Sequence, residues 1–262
     1  LIRCSVAFAG NDHRLGANEA PPAILSIFLG DEVNNVIKNI IAGENINGVI
    51  ESSIIDSGTT SIVSFAKDAT DRNRTSPFAL TGNKFEFRAL GASQHVAGPV
   101  YILNTVMAES LDYLSTEIEK ETAKGVDTQQ AILMTLKKTL AEHQRIIFNG
   151  DNYADAWEKE AERRGLPNLK STPDALDALI SPKAFELFEK YNVLSESEVT
   201  SRYNIKVETY IANMDIEFKA IMDIVDTLVL PAAFKYQSNL AKSLKRATAI
   251  LDFEMPGQTE ML

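Results

Sequence analysis

The sequence predicts an α+β fold, with short antiparallel strands and helices up to Pro99 and a mostly α-helical region after it. Three observations carry this. Lys84-Phe85-Glu86-Phe87-Arg88 alternates strictly between charged and aromatic residues, the period of a strand. Residues 45–66 hold Ile50, Ile54, Ile55, Ile62, Val63 and Phe65 around an Asp56-Ser57-Gly58 turn. Beyond Pro99, apolar residues recur every three or four positions.

In chain order, residues 1–9 show partial strand-like alternation. The run from Gly10 to Ala20, rich in glycine and asparagine, reads as irregular loop. Pro21 and Pro22 suit a first helical turn, with the helix continuing to Gly30 and a second one over 31–41. After the short strands and the KFEFR strand, Val100, Leu103, Met107, Leu111, Leu114 and Ile118 predict one apolar helix face ending at Gly125. Asp127 caps the next helix with Gln130 three residues on, and Asn149-Gly150 can end it. A short helix spans 154–164, and Thr172-Pro173 and Ser181-Pro182 each begin another. Ser195 and Glu198 form a capping box. Behind it Val199, Tyr203, Val207, Tyr210, Met214, Phe218, Ile221, Val225 and Leu228 cover 29 residues in eight steps, a mean of 3.6. Pro231 should end or kink that helix, and 232–251 resumes it. These late aromatic and methionine faces read as core or subunit contacts. A boundary near Ser195 divides the chain into 1–194 and 195–262.

The composition, 45% hydrophobic and 24% charged, is that of a globular protein. A net charge of −10 argues against nucleic-acid partners, which need a basic surface. The single Cys4 allows no internal disulfide and fits a reducing, cytoplasmic setting. No apolar run reaches membrane-spanning length, no signal peptide opens the chain, and three scattered histidines make no zinc pattern. The chain starts on Leu1 within an apolar run, so it is expected to be an internal piece of a longer protein.

Against this acidic background, residues 71–88, DRNRTSPFALTGNKFEFR, gather Arg72, Arg74, Lys84 and Arg88. On a strand Lys84, Glu86 and Arg88 share one face, while Phe85 and Phe87 share the other and want a core. A carboxylate between two cations suits a divalent metal beside phosphates. It equally suits an antiparallel strand with one solvated face. Arg72 and Arg74 can bind phosphate or make a solvated turn. Arg14, on a glycine-bearing loop, can clamp a carboxylate. Glu19 can belong to a lid or serve a helix N-terminus. No Walker loop, GxGxxG, nucleophile elbow or Cys/His pair is present.

In order, RLGANEAPPAI, DRNRTSPFALTGNKFEFR and FNGDNYADAWEKEAERRGLPNLKSTPDALDALI resemble the C-terminal half of type III glutamine synthetase. The resemblance runs from about Cys4 to Pro231. It also fits the wider family pattern of an R…EAP loop, an NRS/T segment and a strand of the form Lys/Arg-x-Glu-x-Arg. It implies part of the family's catalytic barrel in 1–194 and a helical extension in 195–262. It implies ATP-dependent ligation of ammonia to glutamate through γ-glutamyl phosphate, with Mg2+ or Mn2+, in stacked homo-oligomeric rings. By the same resemblance Arg14 matches the glutamate-binding arginine. Glu19 matches the flap glutamate that accepts the ammonium proton. Arg74 matches a phosphate-contacting arginine, and Lys84 stands near ATP. Glu86 matches a metal ligand, and Arg88 the arginine near glutamate and the transferred phosphate.

One departure is Ala79, where shorter family members carry a further arginine. Another is the IFNGDNYADAW loop, to which the adenylylation of some bacterial relatives is not carried over. The family's other metal ligands and its N-terminal β-grasp domain would lie upstream of Leu1. A non-catalytic helical scaffold, or an inactive half-domain, is the competing reading.

Overall fold

The computed structural model describes residues 1–17, 20, 22–44, 54–55, 65–66, 76–251 and 256–259. It is mostly helical, with two small antiparallel two-stranded sheets among the described residues, in keeping with the α+β class. It forms two compact units, Leu1–Val207 and Glu208–Leu262.

The chain begins with a single helical turn, α1 (Ile2–Ser5), rather than a strand. On a strand Cys4 and Ala7 would face opposite ways. A turn lets both enter the main core with Ile102, Leu176, Leu179, Phe188 and Val199. Burial pushes the Cys4 thiol above its ordinary range, so it packs as an apolar group. The expected loop at 10–14 is a second short helix, α2 (Ala9–Arg14). Its weak formers are offset by Asn11, whose buried amide donates to Val6 O and Ala89 O, both at 2.8 Å.

Residues 22–29 are not the helix that the prolines suggested. Ile27 bridges Ile147 and Phe28 bridges Ala79, both in parallel. Phe28 N donates to Phe78 O at 2.9 Å and Leu80 N donates to Phe28 O at 2.8 Å. Distant partners thus satisfy this backbone, and local propensity loses. Gly30, at φ +77°, then turns the chain into α3 (Gly30–Ala42), as expected, and Gly43 at φ +78° closes it.

Strands β1 (Ile54–Ile55) and β2 (Phe65–Ala66) pair antiparallel, as do β3 (Phe78–Leu80) and β4 (Phe85–Phe87). Next comes α4 (Ala97–Ala123), which buries Pro99, Ile102 and Thr105. Of the predicted stripe, Val100, Met107 and Leu111 are exposed, while Leu103, Leu114 and Ile118 are half-buried. This helix is apolar on more than one side, so periodicity alone found only part of the packed face.

Asp127 caps α5 (Thr128–His143) by accepting from Gln129 N at 3.0 Å and Gln130 N at 3.4 Å. Helix α6 (Asp155–Arg163) ends before Gly165, at φ +68°. It carries Trp157, buried and stacked on Phe148 with ring centroids 3.8 Å apart. Helix α7 (Thr172–Leu176) is capped by Ser171, one residue earlier than expected, because the Thr172 hydroxyl is bonded to Asp12. Helix α8 (Pro182–Lys190) is capped by Ser181. The capping box forms as read, with Ser195 N donating to Glu198 Oε2 at 2.8 Å, and opens α9 (Glu196–Ile224). Val199 of α9 is buried in the main core, and Tyr203 and Val207 pack against it.

The second unit holds the rest of α9, a π-helical segment over Val225–Val229, α10 (Leu230–Leu251) and α11 (Pro256–Thr259). Pro231 does not end the helix. It lacks an N–H and its ring crowds the carbonyl four residues back, so a wider turn just ahead of it absorbs the fault. The Thr227 hydroxyl donates back to Asp223 O at 2.5 Å in that turn.

Candidate functional site

The site is built on the β3–β4 hairpin. Gly82 and Asn83 join the strands, with Gly82 at φ +81°, a region hairpin turns require and glycine enters without strain. Ala79 lies opposite Glu86, and Phe78 opposite Phe87. The alternation therefore does what it predicted. Glu86 Oε1 lies 3.3 Å from Lys84 Nζ and accepts from Thr81 Oγ1 at 3.2 Å. Glu86 Oε2 accepts from Arg88 Nε at 3.2 Å and from its terminal NH2 at 3.1 Å. Arg88, then Lys84, holds the Glu86 carboxyl below the usual carboxylate range, so it is an anion at neutral pH.

On the other face Phe78 stacks on Phe85 at 5.5 Å and meets Phe87 edge-on at 5.8 Å. The expected core is incomplete there, since Phe85 remains 52% exposed. Ala79, where an arginine stands in shorter relatives of the family resembled, is wholly buried. The short side chain fits because residue 28 pairs directly along this strand.

The structure brings Arg14 to the end of this strand. Its terminal NH2 donates to Ala89 O at 2.8 Å and its Nε to Asn11 Oδ1 at 2.9 Å. Burial pulls the Arg14 guanidinium below its ordinary value, and Tyr153 offsets part of this electrostatically. Tyr153 belongs to the FNGDNYADAW loop. Two motifs far apart in sequence thus meet, the Arg14 segment and the end of the Glu86 strand, with Tyr153 within electrostatic reach of Arg14. Beside them the buried Asn152 accepts from Ser26 Oγ at 3.2 Å, and its Nδ2 has no partner among the described residues.

Asn11 and Asp12 went unnoticed in the sequence, where they read as loop. Asn11 positions Arg14. Asp12 accepts from the buried Arg3 at 3.1 Å and from Thr172 N and Oγ1 at 2.6 and 2.9 Å, which ties α2 to the start of α7. Glu19 and Arg74, with the whole Asp71–Arg74 cluster, lie outside the described residues. Lys84 is exposed but paired to Glu86. Among the described residues no three His, Cys, Asp or Glu side chains gather to hold a metal. Glu86 fits one carboxylate's share of a divalent site, with Arg88 and Lys84 placed for neighbouring anionic groups.

The site is thus a strand-borne carboxylate flanked by cations, followed by a long helical region. Residues 131–248 match the family model of the glutamine synthetase C-terminal domain. The chain is 50% identical to a type-3 glutamine synthetase of Dictyostelium discoideum over 93% of its own length and 33% of that protein. It is 38% identical to a glutamine synthetase of Butyrivibrio fibrisolvens, over 96% of the chain and 35% of the relative. With a glutamine synthetase of Bacteroides fragilis it shares 36% identity, over 97% of the chain and 35% of the relative. Over nearly its whole length the chain is thus similar to glutamine synthetases, a type-3 enzyme among them, and it spans about a third of the length of these relatives. No helix among the described residues is long and apolar enough to cross a membrane.

Proposed function

We propose that this sequence supplies the C-terminal half of the catalytic domain (1–194) and the helical extension (195–262) of a cytoplasmic glutamine synthetase. That enzyme would join ammonia to L-glutamate through γ-glutamyl phosphate, giving glutamine, ADP and phosphate, and would work as a homo-oligomer of stacked rings. The observation that carries the reading is the convergence of Arg14 on Ala89, next to Arg88 and its bonded Glu86. When bound, ATP would supply the phosphoryl group and Mg2+ or Mn2+ would screen its charge.

In this reading Arg14 holds a carboxylate of glutamate. Arg88 faces the glutamate and the transferred phosphoryl group, where a fixed cation stabilises developing charge. Arg74 and Lys84 bind the nucleotide phosphates, and Glu86 is a metal ligand. Glu19 takes the proton from ammonium. Arg14 and Arg88 are held by carbonyl and carboxylate partners before substrate arrives, which lowers the ordering cost at binding.

The test is Glu86→Gln in the longer protein that carries this sequence. The exchange keeps shape and removes the charge, so glutamine formation should fall by roughly a hundredfold or more, with part of it returning at high Mg2+ or Mn2+. The circular dichroism spectrum should not change, since the phenylalanines of the other face are untouched. Normal turnover with normal metal dependence would remove Glu86 from the metal site.

A further inference from the structure

Between α3 and the C-terminal end of α6 lies a cleft of about 470 Å³ that the reading above does not use. Its volume is in the range of small-molecule sites. One wall is the α3 face of Asn34, Ile37, Lys38 and Ile41, spaced at helical intervals. The other comes from Arg145, from the start of the FNGDNY loop at Phe148, Asn149 and Gly150, and from Arg163 and Arg164. Among the described residues no acid lines it, although the whole chain carries a net charge of −10.

The four cations are not equally engaged. Arg163 and Arg164 share Glu160, at 2.7 and 2.6 Å, and Arg164 also donates to Ile147 O at 2.9 Å. Arg163, and then Arg164, holds the Glu160 carboxyl down at about 2, so that counter-charge is permanent. It balances one cation of the four. The Lys38 and Arg145 side chains have no hydrogen-bond or ion-pair partner among the described residues, although the Arg145 carbonyl accepts from Arg164 at 3.3 Å. Four like charges around a concave apolar floor of Ile37, Ile41 and Phe148 repel one another, and an anion entering between them relieves this. Guanidinium forks match phosphate geometry, and the floor takes an apolar body.

We propose that this cleft binds a small phosphate monoester with an apolar body, at a place separate from the β3–β4 hairpin. The proposal does not rest on the synthetase reading. Its test is calorimetric titration of the protein with phenyl phosphate, and with inorganic phosphate and phenol as half-probes. Phenyl phosphate should bind at least about tenfold more tightly than either half, and more weakly as salt rises. Lys38→Gln and Arg145→Gln, both at exposed positions, should each weaken it by about tenfold, while Arg88→Gln should leave it unchanged. No heat from phenyl phosphate at millimolar concentration, with a native circular dichroism spectrum, would overturn the cleft as a site. So would binding that Arg88→Gln abolishes and Arg145→Gln spares, which would move it to the hairpin.

Discussion

Arg3 and Asp12 show how a few buried charges fix the segment that carries Arg14. Arg3 is 5% exposed, donates to Leu169 O at 2.9 Å and pairs with Asp12 at 3.1 Å. Asp12 in turn holds Thr172 through both its N–H and its hydroxyl. Removing one partner of a buried pair leaves the other charge uncompensated, a cost of about 3–5 kcal/mol. Asp12→Asn should therefore destabilise the protein by about that much in urea unfolding, and a loss under 1 kcal/mol would show that the pair is dispensable. Glu86, flanked by Lys84 and Arg88, was legible in the sequence because strand alternation fixes which side chains share a face. Asp12 was not. Its partners are 9 and 160 residues away, and no local pattern encodes a contact of that range.

At the scale of elements, the sequence was right where a rule is local and wrong where a partner decides. The Asp127 and Ser195 caps, the Gly165 stop and the α9 period follow from capping chemistry and spacing. The stretch 22–29 was misread because its backbone pairs with strand β3 on one side and with 146–148 on the other. Helix α4 was assigned correctly as a helix, but its predicted stripe is only partly buried and misses Ile102, the buried residue. Which face packs can be tested by a pair of substitutions. Ile102, 1% exposed, should cost about 2–5 kcal/mol when changed to Ala, because a core cavity opens. Met107, 58% exposed, should cost within about 0.5 kcal/mol. Equal losses in thermal unfolding would mean that both faces of α4 are buried in solution.

For the whole molecule, the question is what covers the helices of the second unit. The α9 period runs on through Phe218, Ile221 and Leu228, yet each of these is more than half exposed, and so are Met222, Phe234 and Tyr236. Patterned apolar stripes of this kind mark interaction surfaces in soluble proteins. Burying a large apolar side chain gives roughly 1.5–3 kcal/mol, so a handful of them outweighs the entropy of association. A second copy presents the same stripe and can pair with it about a two-fold axis, which needs no further component. The protein should therefore self-associate, with an average mass in sedimentation equilibrium that rises with concentration. Phe218→Asp with Leu228→Asp should shift it toward monomer without loss of helix, since neither side chain is needed inside its own unit. A monomer at every concentration, unchanged by the double substitution, would show that the stripe stays in water and that its helical period reflects no subunit contact.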